Sequence, residues 1–127
     1  MKDLDKNIPI LLIDDYSSVR RIVKNCLFKL GFKNITEAEN GSTALDKIAE
    51  NKYDLVISDW QMPDMRAEDL MDKINVSAAN VPCLMLISEG QKKQIIQSSI
   101  PEKSDYIVKP FTVETLEEKI FKLFGEA

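Results

Sequence analysis

Residues 8–13 are apolar at every position, with none of the alternation that a half-exposed strand would show, and residues 55–57 continue the same pattern. Runs of this kind read as strands buried on both faces, so the chain must supply packing layers on either side of a sheet. Strands are expected near residues 8–14, 34–39, 53–58, 82–87 and 105–109, each an apolar or β-branched run bounded by turn residues. Helical spacing fills the gaps between them. Five βα units in so short a chain predict an α/β fold: a doubly wound, five-stranded parallel sheet with helices on both faces.

The helices show their inward faces with unequal clarity. Val19, Ile22, Val23, Cys26, Leu27 and Leu30 recur at intervals of three and four, and Gly31 supplies a stop. A second helix is expected after Asn40-Gly41, with Ala44, Leu45, Ile48 and Ala49 inward, and a third carries Leu70, Met71 and Ile74. The fourth, near 89–99, rests only on Ile95, Ile96 and Ile100. Thr112 is placed to cap the last, whose stripe is Leu116, Ile120, Leu123 and Phe124. Nothing reads as a linker, repeat or low-complexity tract, so residues 1–127 are expected to form one domain.

Composition narrows the chemistry. The net charge of -4 argues against generic nucleic-acid binding. The absence of histidine removes Ser-His triads, histidine zinc sites and imidazole acid–base catalysis. Cys26 and Cys83 lie in apolar runs without metal-ligand spacing and read as buried, reduced thiols. No long apolar stretch suggests a signal peptide or membrane span, and a cytoplasmic location is expected.

In a doubly wound sheet, ligands bind beyond the carboxyl ends of the strands. Asp14 and Asp15 end the first expected strand, Asp59 the third, Ser88 the fourth and Lys109-Pro110 the fifth. Three carboxylates in one small volume repel, and a hard divalent cation with oxygen ligands, Mg2+ above all, would offset that repulsion. The set suits phosphoryl transfer to a carboxylate. Asp59 is the candidate nucleophile; Asp14, Asp15, Asp59 and the backbone carbonyl of Gln61 are candidate Mg2+ ligands; Ser88 and Lys109 are candidate contacts to phosphoryl oxygens. Each has a plainer reading. Asp15 is as well explained as a helix cap, Ser88 as a turn hydroxyl, Lys109 as a solvated lysine, and Pro110 as a helix stop or a cis bond aiming Lys109 inward. Their arrival at successive strand ends favours the joint reading.

The strings Leu11-Leu12-Ile13-Asp14-Asp15, Ile57-Ser58-Asp59-Trp60-Gln61-Met62-Pro63, Ile87-Ser88 and Tyr106-Ile107-Val108-Lys109-Pro110-Phe111 together resemble the receiver domain of bacterial two-component response regulators, and most of all its chemotaxis-type members. The resemblance spans about residues 8 to 124. It implies the flavodoxin-like strand order 2-1-3-4-5. It also implies a stand-alone regulator, phosphorylated on Asp59 by a histidine kinase with Mg2+ bound and acting as a phosphoacceptor, not an enzyme. Ser88 would then move toward the phosphoryl group and Tyr106 rotate inward, remodelling the face that binds the flagellar motor switch protein. Tyr106 alone would read as a packed strand aromatic, and Lys92, Lys93 and Lys119, candidates for a basic rim on that face, as solvated charge. With no room for a further output domain after residue 127, output is expected through protein contact, by a monomer.

Alternatives use the same site differently: an intermediate phosphorelay receiver or phosphate sink, a small Mg2+-dependent phosphohydrolase, or a degenerate docking module. The phosphohydrolase is disfavoured because Gln61 stands where such enzymes carry a second acid, and the docking module by the complete acid, hydroxyl and lysine set.

The chain departs from the family pattern at several points. Arg66-Ala67 replaces the usual Asp-Gly, implying either an altered backbone or a helical start at Ala67, and puts a cation where an acid is usual, able to attract a donor or partner. Ser88 replaces the commoner threonine. Pro101 stiffens the loop before the fifth strand. Glu89 follows Ser88 where a small residue is usual; its charge would repel a donor unless it points to solvent or pairs with Lys92 or Lys93. Gln61 and Gly90 occupy the positions that tune acyl-phosphate lifetime in the family. Gln61→Ala is expected to change the decay of the acyl phosphate several-fold, roughly 1 kcal/mol, and Glu89→Ala to speed phosphorylation by small donors. A decay time that does not move removes Gln61 from the mechanism, and an unchanged rate removes Glu89.

Overall fold

The apolar runs pair with one another, and the helices cover them from both sides. The computed structural model describes residues 5–77, 81–97 and 103–125, apart from the side chains of residues 77 and 95–97. Five strands, β1 (Ile10–Ile13), β2 (Ile35–Ala38), β3 (Leu55–Asp59), β4 (Cys83–Ile87) and β5 (Ser104–Val108), form one parallel sheet in the order β2-β1-β3-β4-β5. This is the flavodoxin-like order. Between them run α1 (Ser17–Lys29), α2 (Gly41–Glu50), α3 (Ala67–Ser77), α4 (Lys92–Gln97) and α5 (Val113–Leu123), with a short 3-10 turn, Glu89–Gln91, before α4.

Successive residues of a strand point to opposite faces, so each continuous apolar run feeds two cores at once. Ile10, Leu12, Leu55, Ile57, Leu84, Leu86 and Ile107 pack against Val23 and Leu27 of α1 and Leu116 and Ile120 of α5. Leu11, Ile13, Val56, Met85 and Ile87 pack against Ala44 and Ile48 of α2 and Leu70, Met71 and Ile74 of α3. The register sets Ile13 beside Ala38 and Ser58, Asp59 beside Leu86, and Ile87 beside Val108. The carboxyl ends of all five strands therefore open onto one edge.

Helix ends follow local chemistry. Gly31 takes φ 98°, which L side chains resist, and stops α1. Asn40 accepts from the Thr43 amide at 2.8 Å and Thr112 from the Thr115 amide at 3.1 Å, capping α2 and α5. Ala67 is the buried first residue of α3, so the Arg66-Ala67 departure is a tolerated helical start. The β3–α3 loop is tied to α2: Asp64 accepts from the amides of Gly41 and Ser42, each at 2.9 Å. A β-carbon on Gly41 would lie 2.5 Å from Met65 Cγ, which explains the glycine there. The Lys109–Pro110 bond is cis.

Several expectations need correction. Ile22 is 62% exposed: it sits about 100° round the helix from Val23, just past the edge of the buried face. Ala49 is exposed for the same reason. Phe121, absent from the expected α5 stripe, is buried, with the Lys6 ammonium 5.4 Å from its ring centre. Asp15 does not cap α1, because Tyr16 holds the cap position and makes no side-chain cap bond. Cys26 is half-buried, whereas Cys83 is buried and its thiol is pushed up to about 12 by desolvation; both are unpaired. Ile100 and Pro101 lie outside the described residues, as do the side chains of Ile95 and Ile96. Among the described residues no helix is long and apolar enough to cross a membrane.

The corrected α1 face has a direct test. Leu27→Ala is expected to cost about 3 kcal/mol in urea unfolding, whereas Ile22→Ala should stay within about 0.5 kcal/mol. Equal losses would mean that Ile22 is buried.

Candidate functional site

At the carboxyl edge of the sheet, β1 delivers Asp14 and Asp15 and β3 delivers Asp59. Asp14 is fully buried and Asp59 is 9% exposed. One carboxylate oxygen from each of the three lies within 4.8 Å of the others. Asp14 Oδ1 accepts from the Tyr16 amide at 2.9 Å, which closes the turn out of β1. Asp14 Oδ2 and Asp15 Oδ1 are buried without a hydrogen-bond partner. Buried orphan acceptors are costly, and a divalent cation with oxygen ligands is the partner that fits them.

The cationic wall comes from β5. The Lys109 amide bonds the Ile87 carbonyl at 2.7 Å, and Lys109 Nζ lies 3.5 Å from Asp59 Oδ1. Burial raises the pKa of Asp59, and Lys109 and the Trp60 amide offset only part of that rise. Among the described residues no lysine forms an ion pair with Asp14, and Lys109 acts on it only from farther off. Burial lifts it from 3.8 to about 6, against the Tyr16 amide and with help from the charge of Asp59.

Ser88 stands at the end of β4, exposed, with its amide donating to Gln91 Oε1 at 2.9 Å. It joins Asp15, Asp59, Gln61 and Lys109 in lining a cleft of about 940 Å³. Gln61 is exposed and pairs with Arg66 in a single antiparallel bridge, which narrows the loop after β3. The expected residues thus converge, with three exceptions. Glu89 and Gly90 are exposed and do not line the cleft, so the carboxylate of Glu89 stands in solvent. Tyr106 lies away on β5, half-buried against the α2–α3 core.

The surroundings of Tyr106 are charged. Lys119 Nζ sits 5.0 Å from its ring centre and 3.3 Å from Asp105 Oδ1. Lys119 is therefore engaged, while Lys92 and Lys93 are exposed.

Other cleft residues carried little or no sequence signal. Gln91 stands three after Ser88, the spacing of a capping box, which is the one sequence signal that points to it. Gln94, whose Oε1 accepts from Trp60 Nε1 at 3.4 Å, had none. Arg66 reaches the cleft wall but is paired with Glu68.

Comparison with known proteins places the sequence and the fold. Residues 10–121 match the model of the response regulator receiver domain. The chain is 45% identical over 123 residues to the chemotaxis protein CheY-3 of Vibrio cholerae serotype O1, covering 95% of each. It is 41% identical to the chemotaxis protein CheY of Pseudomonas aeruginosa, covering 91% of this chain and 94% of that one. Among solved structures, the chemotaxis response regulator CheY4 of Vibrio cholerae superposes with a TM-score of 0.80 at 28% identity, over 92% of this chain and 98% of that one.

The raised Asp14 pKa has a consequence for stability. Between 3.8 and about 6 the folded protein holds more protons than the unfolded chain, so without divalent cations stability falls as the pH rises through that window. Asp14→Asn keeps an acceptor for the Tyr16 amide and removes the charge. It is expected to raise Tm at pH 7 in a chelator and to flatten that part of the pH profile; a lower Tm would contradict the desolvated carboxylate.

Proposed function

The chain belongs to the response regulator receiver domain family, and from that membership we propose that residues 1–127 form one chemotaxis-type receiver, phosphorylated on Asp59 and read by a protein partner. CheY-type receivers are phosphoacceptors and not turnover enzymes. The observation that carries the reading is the close approach of Asp14, Asp15, Asp59 and Lys109 at one strand edge.

The donor is a phosphohistidine of a chemotaxis-type histidine kinase. A carboxylate oxygen of Asp59 attacks phosphorus, the donor N–P bond breaks, and its electron pair returns to the imidazole nitrogen, which takes up a proton. An acyl phosphate remains on Asp59. Asp14, Asp15, Asp59 and the Gln61 carbonyl would hold Mg2+, whose charge would offset repulsion between the carboxylates and the phosphoryl oxygens. Lys109 pairs with Asp59 before transfer and with a phosphoryl oxygen after it, which favours the ionised nucleophile and then the product. The Ser88 hydroxyl donates to a second phosphoryl oxygen. Gln61 lies on the path of attacking water and sets the lifetime, with Glu89 and Gly90 as more distant influences. Tyr106 then turns inward and changes the face of α4, β5 and α5, where a motor-switch protein binds. The protein works in the cytoplasm as a monomer.

A receiver that only passes on or drains phosphoryl groups would use the same chemistry. The relatives named for chemotaxis favour the motor reading.

Trp60, the only tryptophan, adjoins Asp59 and reports both steps. Its fluorescence is expected to change with Mg2+ and again with acetyl phosphate, the second change being lost in Asp59→Asn. The phosphorylated form is then expected to bind a motor-switch peptide at least about tenfold more tightly than the unphosphorylated form, the scale of a typical coupling energy. No donor response in protein that binds Mg2+, with kinase also present, would reject the phosphoacceptor. Phosphorylation without a gain in peptide affinity would select the relay or sink.

A further inference from the structure

Asp14 is held on every side but one. Its amide donates to the Ala38 carbonyl at 3.1 Å, its Oδ1 accepts from the Tyr16 amide, and its carbonyl accepts from Arg20 Nη1 at 2.6 Å. Oδ2 remains, buried and without a partner. Arg20 is not a loose surface group: its side chain is 15% exposed, and its Nε donates to Glu37 Oε1 at 2.9 Å. Glu37 also accepts from Lys24 at 2.9 Å, and these two cations hold its carboxyl below the usual range. One guanidinium thus joins α1, the β1–α1 turn and β2, with one prong on a carboxylate and another on a main-chain oxygen. Lysine cannot reproduce that fork.

We propose that Arg20 is a positioning residue for the cation site, acting through the Asp14 main chain. With the Asp14 amide tied to β2 and its carbonyl tied to α1, the side chain leaves the backbone in one direction, and Oδ2 is presented to the cation already desolvated. Glu37 serves by holding the guanidinium in place. This rests on the reading that Asp14 and Asp15 hold the divalent ion.

Charge and position pull in opposite directions here, which makes the proposal testable. Arg20 is a cation beside a cation site, so electrostatics alone predicts that removing it tightens Mg2+ binding. Positioning predicts weaker binding, because groups that orient metal ligands typically contribute about tenfold or more to affinity. Mg2+ dissociation constants would be measured by calorimetry for wild type, Arg20→Met, Arg20→Lys and Glu37→Gln, with a thermal melt of each in chelator. Arg20→Met is expected to weaken Mg2+ binding about tenfold, Arg20→Lys to recover only part of that loss, and Glu37→Gln to weaken binding to a lesser degree. A folded Arg20→Met that binds Mg2+ as tightly as wild type, or more tightly, overturns the proposal. Should Arg20→Met fail to fold, Glu37→Gln decides: unchanged affinity overturns the proposal and weakened affinity supports it. A Tm change without a change in affinity would make the cluster purely structural and also overturn it. Absence of Mg2+ binding in wild type would instead defeat the underlying reading of the acids, and this inference with it.

Discussion

Desolvation of carboxylates at the ends of strands buried on both faces is the constraint from which the site follows. β1 and β3 lie inside a doubly wound sheet, so the residues that leave them are still largely shielded from water. Burial accordingly pushes up the pKa of both Asp14 and Asp59, and at Asp59 the neighbouring Lys109 offsets part of that rise. Three acids face one close lysine. The imbalance is what a divalent ion would correct.

The frame around the acids is tied at several independent points. β2 holds the Asp14 amide, α1 holds its carbonyl through Arg20, and the Lys109 amide is fixed to the end of β4. The loop after β3 is pinned to α2 by Asp64. These bonds join neighbouring elements and not only neighbouring residues, so the acids keep their spacing. The face around Tyr106 is built otherwise. Asp105 draws Lys119 and Lys122 together, and Lys119 lies over the tyrosine ring, outside the cleft.

The fold was legible because continuous apolar runs admit few arrangements. Residues 8–13 and 55–57 had to be central strands, and the flanking helical periods supplied the layers. Edges of helical faces were less legible: Ile22 and Ala49 satisfy a spacing rule but sit just off the buried arc, while buried Phe121 has the Lys6 ammonium over its ring, a partner that no local pattern anticipates. At the site, acids, hydroxyl and lysine could be placed because strand ends are predictable in this topology. Arg20 was invisible, since a helical arginine looks like any other until its partners, Glu37 on β2 and the Asp14 carbonyl, are known. Gln94 escaped for the same reason, its partner Trp60 being distant in the chain.

The central claim, that a buried excess of negative charge awaits a divalent cation, is tested most directly by thermal melts at pH 7.5 with increasing Mg2+ against a chelator control. Binding to the folded state alone predicts a Tm that climbs with Mg2+ concentration, and a much smaller climb in Asp14→Asn despite its higher starting Tm. A wild-type Tm indifferent to Mg2+ would contradict the claim, leaving the three carboxylates as a desolvated cluster without a counter-ion.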